Sequence, residues 1–152
     1  MTAPILLVED NPDDEMLTLR ALERSDVRNP VVVARDGVEA LDYLAGDAGN
    51  GPLPALVLLD LNLPRIDGLE VLRRVRASRS TRFMPVVVLT SSREEEDVLS
   101  SYSGGANAYV RKPVRFADFL EAVNALGMFW LMHNQRAPGS RPLPADRGEK
   151  GP

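Results

Sequence analysis

No cysteine occurs anywhere in the 152 residues, which excludes disulfides, thiolate metal sites and a cysteine nucleophile. Aromatic side chains make up only 5% of the chain, so valine and leucine must fill the core. Positive charge is not in excess either: the formal net charge is −4, and no basic footprint for nucleic acid results. Long hydrophobic runs are also missing. The start, MTAPILLVED, carries an apolar run too short for a secretory signal, and nothing later is long enough to span a bilayer. A cytoplasmic protein that binds neither nucleic acid nor membrane is therefore expected. What the chain does have is 44% hydrophobic residues in a length that suits one ordinary domain.

Those apolar residues fall into five short runs, each followed by a segment of helical period. ILLV (5–8) precedes Met16, Leu19 and Leu22 on one predicted helix face, and VVVA (31–34) precedes Val38, Leu41 and Leu44. ALVLLDL (55–61) precedes Leu69, Leu72 and Val75. PVVVLT (85–90) leads into a more polar segment from Arg93 to Ser103, and AYV (108–110) into a last helix from about Phe116 to His133. The strand-like runs are β-branched and do not alternate with polar residues, as strands covered on both faces should read. Five βα repeats imply an α/β fold, a parallel sheet between two helix layers. Asn11-Pro12 predicts a helix cap followed by proline at the first helical position. Asp36-Gly37, Asp67-Gly68 and Gly104-Gly105 mark connections, and GDAGNGPLP (46–54) reads as a surface loop. Residues 134–152, rich in proline, glycine and charge, are expected to form a disordered tail after a domain spanning 1–133.

The segment ILLVEDNPDDE (5–15) places five acids within seven positions. Asp13, Asp14 and Glu15 fall in the first turn of a helix, where negative charge meets the positive end of the dipole. Glu9 and Asp10 precede the cap and sit at the carboxyl end of the first strand, where ligands bind in open parallel sheets. The third strand also ends in an acid, Asp60. If these strands are neighbours, carboxylates about 4 Å apart repel by roughly 4 kcal/mol at an effective dielectric near 20. That is a large share of a domain stability of about 5–15 kcal/mol. Either one carboxylate stays protonated or a cation sits among them. An all-oxygen site with water access suits magnesium better than zinc; the bland alternative is that strand-end acids are surface accidents. Thr90 closes PVVVLT, and Lys112 follows AYVR. Singly, they read as a strand-end hydroxyl and a solvated surface charge. Together with the acids they fit an oxyanion held beside a divalent cation.

VEDN (8–11), ARDGVEAL (34–41), LLDLNLPRIDG (58–68), VVVLTSS (86–92) and YVRKP (109–113), in this order, carry a resemblance. Over about residues 3–133 the chain resembles the receiver domain of bacterial two-component response regulators, the CheY-like family. The resemblance implies a flavodoxin-like, doubly wound five-stranded parallel sheet of order 2-1-3-4-5 in a three-layer (βα)5 sandwich. It makes Asp60 the phosphoacceptor and Glu9 and Asp10 the acidic pair that helps hold Mg2+, with the backbone carbonyl of Asn62 as a further ligand. Thr90 and Lys112 match the hydroxyl and the lysine that contact the phosphoryl group. Tyr109 matches the switch aromatic, although simple strand packing would also suit it. Lys112-Pro113 matches a bond usually cis in the family, and Asn62 and Ser92 flank the water path for dephosphorylation. Two departures are mild: Glu9 stands where aspartate is common, and Ser91 where alanine is frequent. The phosphoryl group would come from a sensor histidine kinase, making the protein a signalling phosphoacceptor rather than an enzyme.

No DNA-binding domain follows in the sequence, so output through protein contact is expected. LGMFWLM (126–132) is apolar almost all round, more than one buried stripe needs. Phe116, Phe119, Leu120 and Val123 are enough to face the sheet. Leu126, Phe129, Trp130 and Leu131 then favour a homodimer built on the last helix and the fifth strand, against the simpler outcome of folding back on their own domain. His133 reads as a surface residue. FxxFLEAVNALGMFWL, with NAYVRKP, looks like the single-domain regulators paired with bacterial phytochromes. Two rivals remain at this point. One is a pseudo-receiver that only docks; the other is a magnesium phosphohydrolase of the haloacid-dehalogenase type, which wants an aspartate where Asn62 stands.

Overall fold

The computed structural model describes residues 3–24, 27–45, 53–90, 105–106, 108–112, 117–118 and 121. Five strands run β1 (Ile5–Val8), β2 (Val31–Ala34), β3 (Leu56–Asp60), β4 (Val86–Thr90) and β5 (Ala108–Arg111), with helices α1 (Pro12–Arg24), α2 (Gly37–Ala45) and α3 (Gly68–Ala77) between them. All strand pairs are parallel and the order is β2-β1-β3-β4-β5, as the resemblance implies. Val8 pairs with both Ala34 and Leu59, so β1 and β3 end side by side. Asp60 pairs with Leu89, and Thr90 with Arg111. The carboxyl ends of the four strands β1, β3, β4 and β5 thus share one edge of the sheet.

Period-two alternation sorts the strand residues between two cores. Leu6, Val8, Val57, Leu59, Val86 and Val88 pack with Ala40 and Leu44 of α2 and Val71, Leu72 and Val75 of α3. Ile5, Leu7, Leu56, Leu58, Val87, Leu89 and Val110 pack with Ala21 and Leu22 of α1. Helices therefore cover both faces, which is why these strands read as unbroken apolar runs. Among the described residues no helix is long and apolar enough to cross a membrane.

The Asn11 cap is the one the sequence announces, and Asp36 and Asp67, read there as marking connections, cap helices as well. Asn11 accepts the backbone N–H groups of Asp13 (2.9 Å) and Asp14 (3.0 Å); Asp36 accepts from Glu39 N–H (2.8 Å) and Asp67 from Glu70 N–H (2.9 Å). Each satisfies an orphan donor of a first turn. One expected face is different. Met16 is 56% exposed, and the buried stripe of α1 is Thr18, Ala21 and Leu22. Leu19 and Leu22 of the expected face do pack on the core, so the difference is confined to Met16. The expected helix over 93–103 lies outside the described residues, as do Leu126, Phe129, Trp130, Leu131, His133 and the tail 134–152; of the expected helix over 116–133 only residues 117, 118 and 121 are described, and they are helical.

Gly68 opens α3 against the end of β3. A Cβ there would lie 2.5 Å from Leu61 Cα and closer still to the Asp60 carbonyl oxygen. Both obstacles are backbone and cannot swing aside. Gly68→Ala should therefore lower stability by about 2 kcal/mol, within the range of overpacking changes, and denaturant titration reads it directly; unchanged stability would mean that α3 can shift freely against β3.

Candidate functional site

Four side chains converge where β1, β3 and β5 end. Glu9 continues β1, its N–H donating to Ala34 O (3.0 Å), and its side chain is fully buried. Asp60, the last residue of β3, is 1% exposed. Asp10 is exposed beside them. Carboxylate oxygens of Glu9, Asp10 and Asp60 all lie within 4.8 Å of one another. Two chain turns fix their orientation: Asn11 N–H donates to Glu9 Oε2 (3.3 Å), and Asn62 N–H donates to Asp60 Oδ1 (3.2 Å).

Lys112, just past β5, reaches over this group with a side chain only 9% exposed. Its ammonium lies 3.2 Å from Asp60 Oδ1 and 3.4 Å from Glu9 Oε2. Its shortest contact is with an acid that the sequence assigns only to the helix dipole: Asp14 Oδ2, at 2.8 Å. A signal for this was available. Positions 14, 18, 21 and 22 follow i, i+4, i+7, i+8 spacing, so Asp14 lies one turn before Thr18 on the buried stripe of α1. Asp13, its neighbour, is on the exposed side.

One ammonium does not balance this many acids. Burial, with Asp60 alongside, pushes the Glu9 carboxyl up to about 8, and Lys112 and the Asn11 N–H pull it back only in part. Burial works against charge on Lys112 too, but Asp14, Asp60 and Glu9 outweigh it and hold the ammonium's pKa well above its ordinary value. Glu9 Oε1 is buried without a hydrogen-bond partner. A lone carboxylate oxygen facing a second carboxylate must share a proton or meet a cation. Hard oxygen donors, one of them exposed to water, suit a magnesium-like ion that keeps part of its hydration. The donor set therefore fits such a metal.

Two ion pairs rim the site, Arg35 with Glu15 (3.1 Å) and Arg65 with Asp36 (3.2 Å). Arg65 holds the left-handed φ of 69° in the loop from β3 to α3. Both arginines are mostly exposed, so these pairs contribute little to stability. Of the other expected site residues, Thr90 ends β4 opposite Arg111 and next to the strand that ends in Asp60. Tyr109 lies on β5 opposite Val88 and is 38% exposed. Ser91, Ser92 and Pro113, with the Lys112-Pro113 peptide bond, lie outside the described residues.

Comparison with known proteins matches this geometry. The model of the response regulator receiver domain family matches residues 5–124. A probable methanogenesis regulatory protein, FilR2 of Methanothrix harundinacea, is 46% identical over 136 residues, covering 89% of this chain and 87% of that protein. Response regulator Rcp1 of Synechocystis is 40% identical, with 84% and 88% covered. Among solved structures, the bacteriophytochrome response regulator AtBRR aligns with a TM-score of 0.77 and 55% identity, over 89% of this chain and 99% of that one. The phosphorylated cyanobacterial phytochrome response regulator RcpA gives 0.72 and 39%, over 89% and 98%. The Mn2+-bound form of Rcp1 gives 0.71 and 38%, over 88% and 97%. The chain belongs to the response regulator receiver domain family, a family of signalling proteins, and is related to phytochrome response regulators.

Proposed function

We propose that the protein is a single-domain response regulator that takes a phosphoryl group onto Asp60 from a sensor histidine kinase. The observation that carries this reading is the Lys112 ammonium, largely shielded from water, within 3.2 Å of Asp60 and 3.4 Å of Glu9 at the edge where four strands end. A carboxylate oxygen of Asp60 attacks phosphorus, the phosphorus–nitrogen bond of phosphohistidine breaks, and the electron pair returns to the imidazole, leaving an acyl phosphate. Glu9, Asp10, Asp60 and the Asn62 carbonyl would hold Mg2+, which supplies charge neutralisation for the transferred oxygens. Lys112 offsets the rest of that charge, and Asn62 N–H holds one Asp60 oxygen so that the other faces the donor. Thr90 accepts the role of hydrogen-bond donor to the bound group, Tyr109 that of the aromatic that turns inward, and Asn62 and Ser92 flank the later attack by water.

Two solved relatives support the choice, one a phosphorylated regulator and the other a Mn2+-bound one. Likeness to bacteriophytochrome regulators supports a bacteriophytochrome as the kinase. We further assign the receiver domain to 1–133, a tail to 134–152, homodimerisation to Leu126, Phe129, Trp130 and Leu131 with β5, and action to the cytoplasm. Acetyl phosphate with Mg2+ should add one phosphoryl mass to the intact protein, EDTA should prevent it, and a bacteriophytochrome kinase should transfer label faster than unrelated kinases. Absence of labelling under all these conditions would leave only a docking role.

A further inference from the structure

We propose that Asp14 is a positioning residue for phosphoryl transfer, tethering the Lys112 ammonium so that it stays aimed at Asp60. The inference rests on Asp60 being the phosphoacceptor. A lysine ammonium is a point charge on a four-carbon stem with three donor hydrogens. Left to itself beside several anions it follows whichever is most negative at the moment. Here its shortest contact, 2.8 Å, is to Asp14, and the longer ones, 3.2 and 3.4 Å, are to Asp60 and Glu9. Asp14 comes from a different element than the other two acids. It is fixed by its place one turn before the buried Thr18 of α1 and by the Asn11 cap that accepts its N–H. It is also the one of the three that neither accepts phosphorus nor belongs to the cluster of Glu9, Asp10 and Asp60.

As charge moves from the Asp60 carboxylate onto phosphoryl oxygens, Lys112 can keep one N–H on Asp14 and offer the others to those oxygens. A donor already in place when the charge arrives needs no reorganisation, and that is where fixed charge helps a reaction most. Without Asp14 the stem regains its rotamer freedom and the ammonium drifts toward Glu9.

The full chain, with acetyl phosphate and Mg2+, tests this. Asp14→Asn should slow labelling of Asp60 about tenfold, comparable to losing a positioned polar group. Asp14→Glu should recover part of the rate. Asp13→Asn removes an acid from the same helical turn without touching Lys112 and should leave the rate alone, so loss of helix-dipole charge cannot explain the result. In a Lys112→Met background the Asp14→Asn change should have no further effect. A readout independent of turnover is the NMR signal of the Lys112 ammonium, whose hydrogens should exchange slowly with solvent in wild type and at least tenfold faster in Asp14→Asn. Labelling of Asp14→Asn at the wild-type rate overturns the proposal, as does an equal slowing in the Lys112→Met background. Wild type that takes no label at Asp60 would instead overturn the phosphoacceptor reading itself.

Discussion

Replacing Asp60 with asparagine is expected to abolish covalent labelling by acetyl phosphate and by the kinase while leaving the chain folded. An amide lacks the anionic oxygen that attacks phosphorus, and Asp10, the exposed acid of the cluster, is not among the acids that pair with Lys112. Glu9 is fully buried, and Asp14 is held against Lys112. Asparagine nearly matches aspartate in shape, so its side-chain oxygen can still accept the Asn62 N–H and the Lys112 ammonium that Asp60 Oδ1 now accepts. Far-ultraviolet circular dichroism should be unchanged. Affinity for Mg2+ should fall about tenfold or more, because one of three converging carboxylates is gone. Intact-mass spectrometry decides the matter, and label persisting on Asp60→Asn would move the acceptor elsewhere.

The second large effect links pH, metal and stability through Glu9. Its folded value of about 8 lies above the 4.5 of an unperturbed carboxyl, so between those values the folded chain binds a proton that the unfolded chain has released. The contribution of Glu9 to the stability of the metal-free protein is then complete below about pH 4.5 and is lost as pH rises toward 8. Each unit of displacement corresponds to about 1.4 kcal/mol, so a loss of several kcal/mol across the window is expected from Glu9 and the Asp60 carboxyl that faces it. Ordinary acid denaturation runs the other way and will dominate below about pH 4. Glu9→Gln should flatten the slope between pH 5 and 8. Mg2+ should flatten it as well, since a divalent ion replaces the proton; at about 100 times its dissociation constant it adds roughly 2.7 kcal/mol. The comparison needs urea titrations at pH 5, 6.5 and 8 with EDTA or Mg2+. A metal-free protein no less stable at pH 8 than at pH 5 would show that Glu9 ionises in place without cost.

Both effects come from the same placement, and much of it was legible in the sequence. Unbroken apolar runs at 5–8, 31–34, 56–59 and 86–89 say that these strands are covered on two sides, because a half-exposed strand would alternate. Asn11 announces its helix because a short side chain that bonds the backbone, followed by proline, suits a helix start, whereas Asp36 and Asp67 read only as turns before their glycines. Glu9 and Asp60 stand out because they follow apolar runs without a turn between, and burial of such acids needs a reason.

The face of α1 was legible only in part. Leu19 and Leu22 of the stripe expected by spacing do pack on the core, but Met16 faces solvent, and Thr18 and Ala21 are buried beside them. Asp14 lies at the same edge of the helix, yet its role was not legible. Seen along the chain it is one of three acids in a first turn, satisfied by the helix dipole. Only when α1 docks does its carboxylate come within 2.8 Å of a lysine 98 positions later.

The sequence by itself determined the parallel α/β architecture and the acids at the strand ends, because each is written in a local pattern of apolar runs, while Lys112 gained a role only in company with those acids. The tertiary structure alone decided which oxygen lies nearest the ammonium, which carboxyl is left without a partner and how far its acidity moves. Those properties depend on distances and desolvation between residues that are remote along the chain, and such quantities exist only once the strands have paired and the helix has turned onto them.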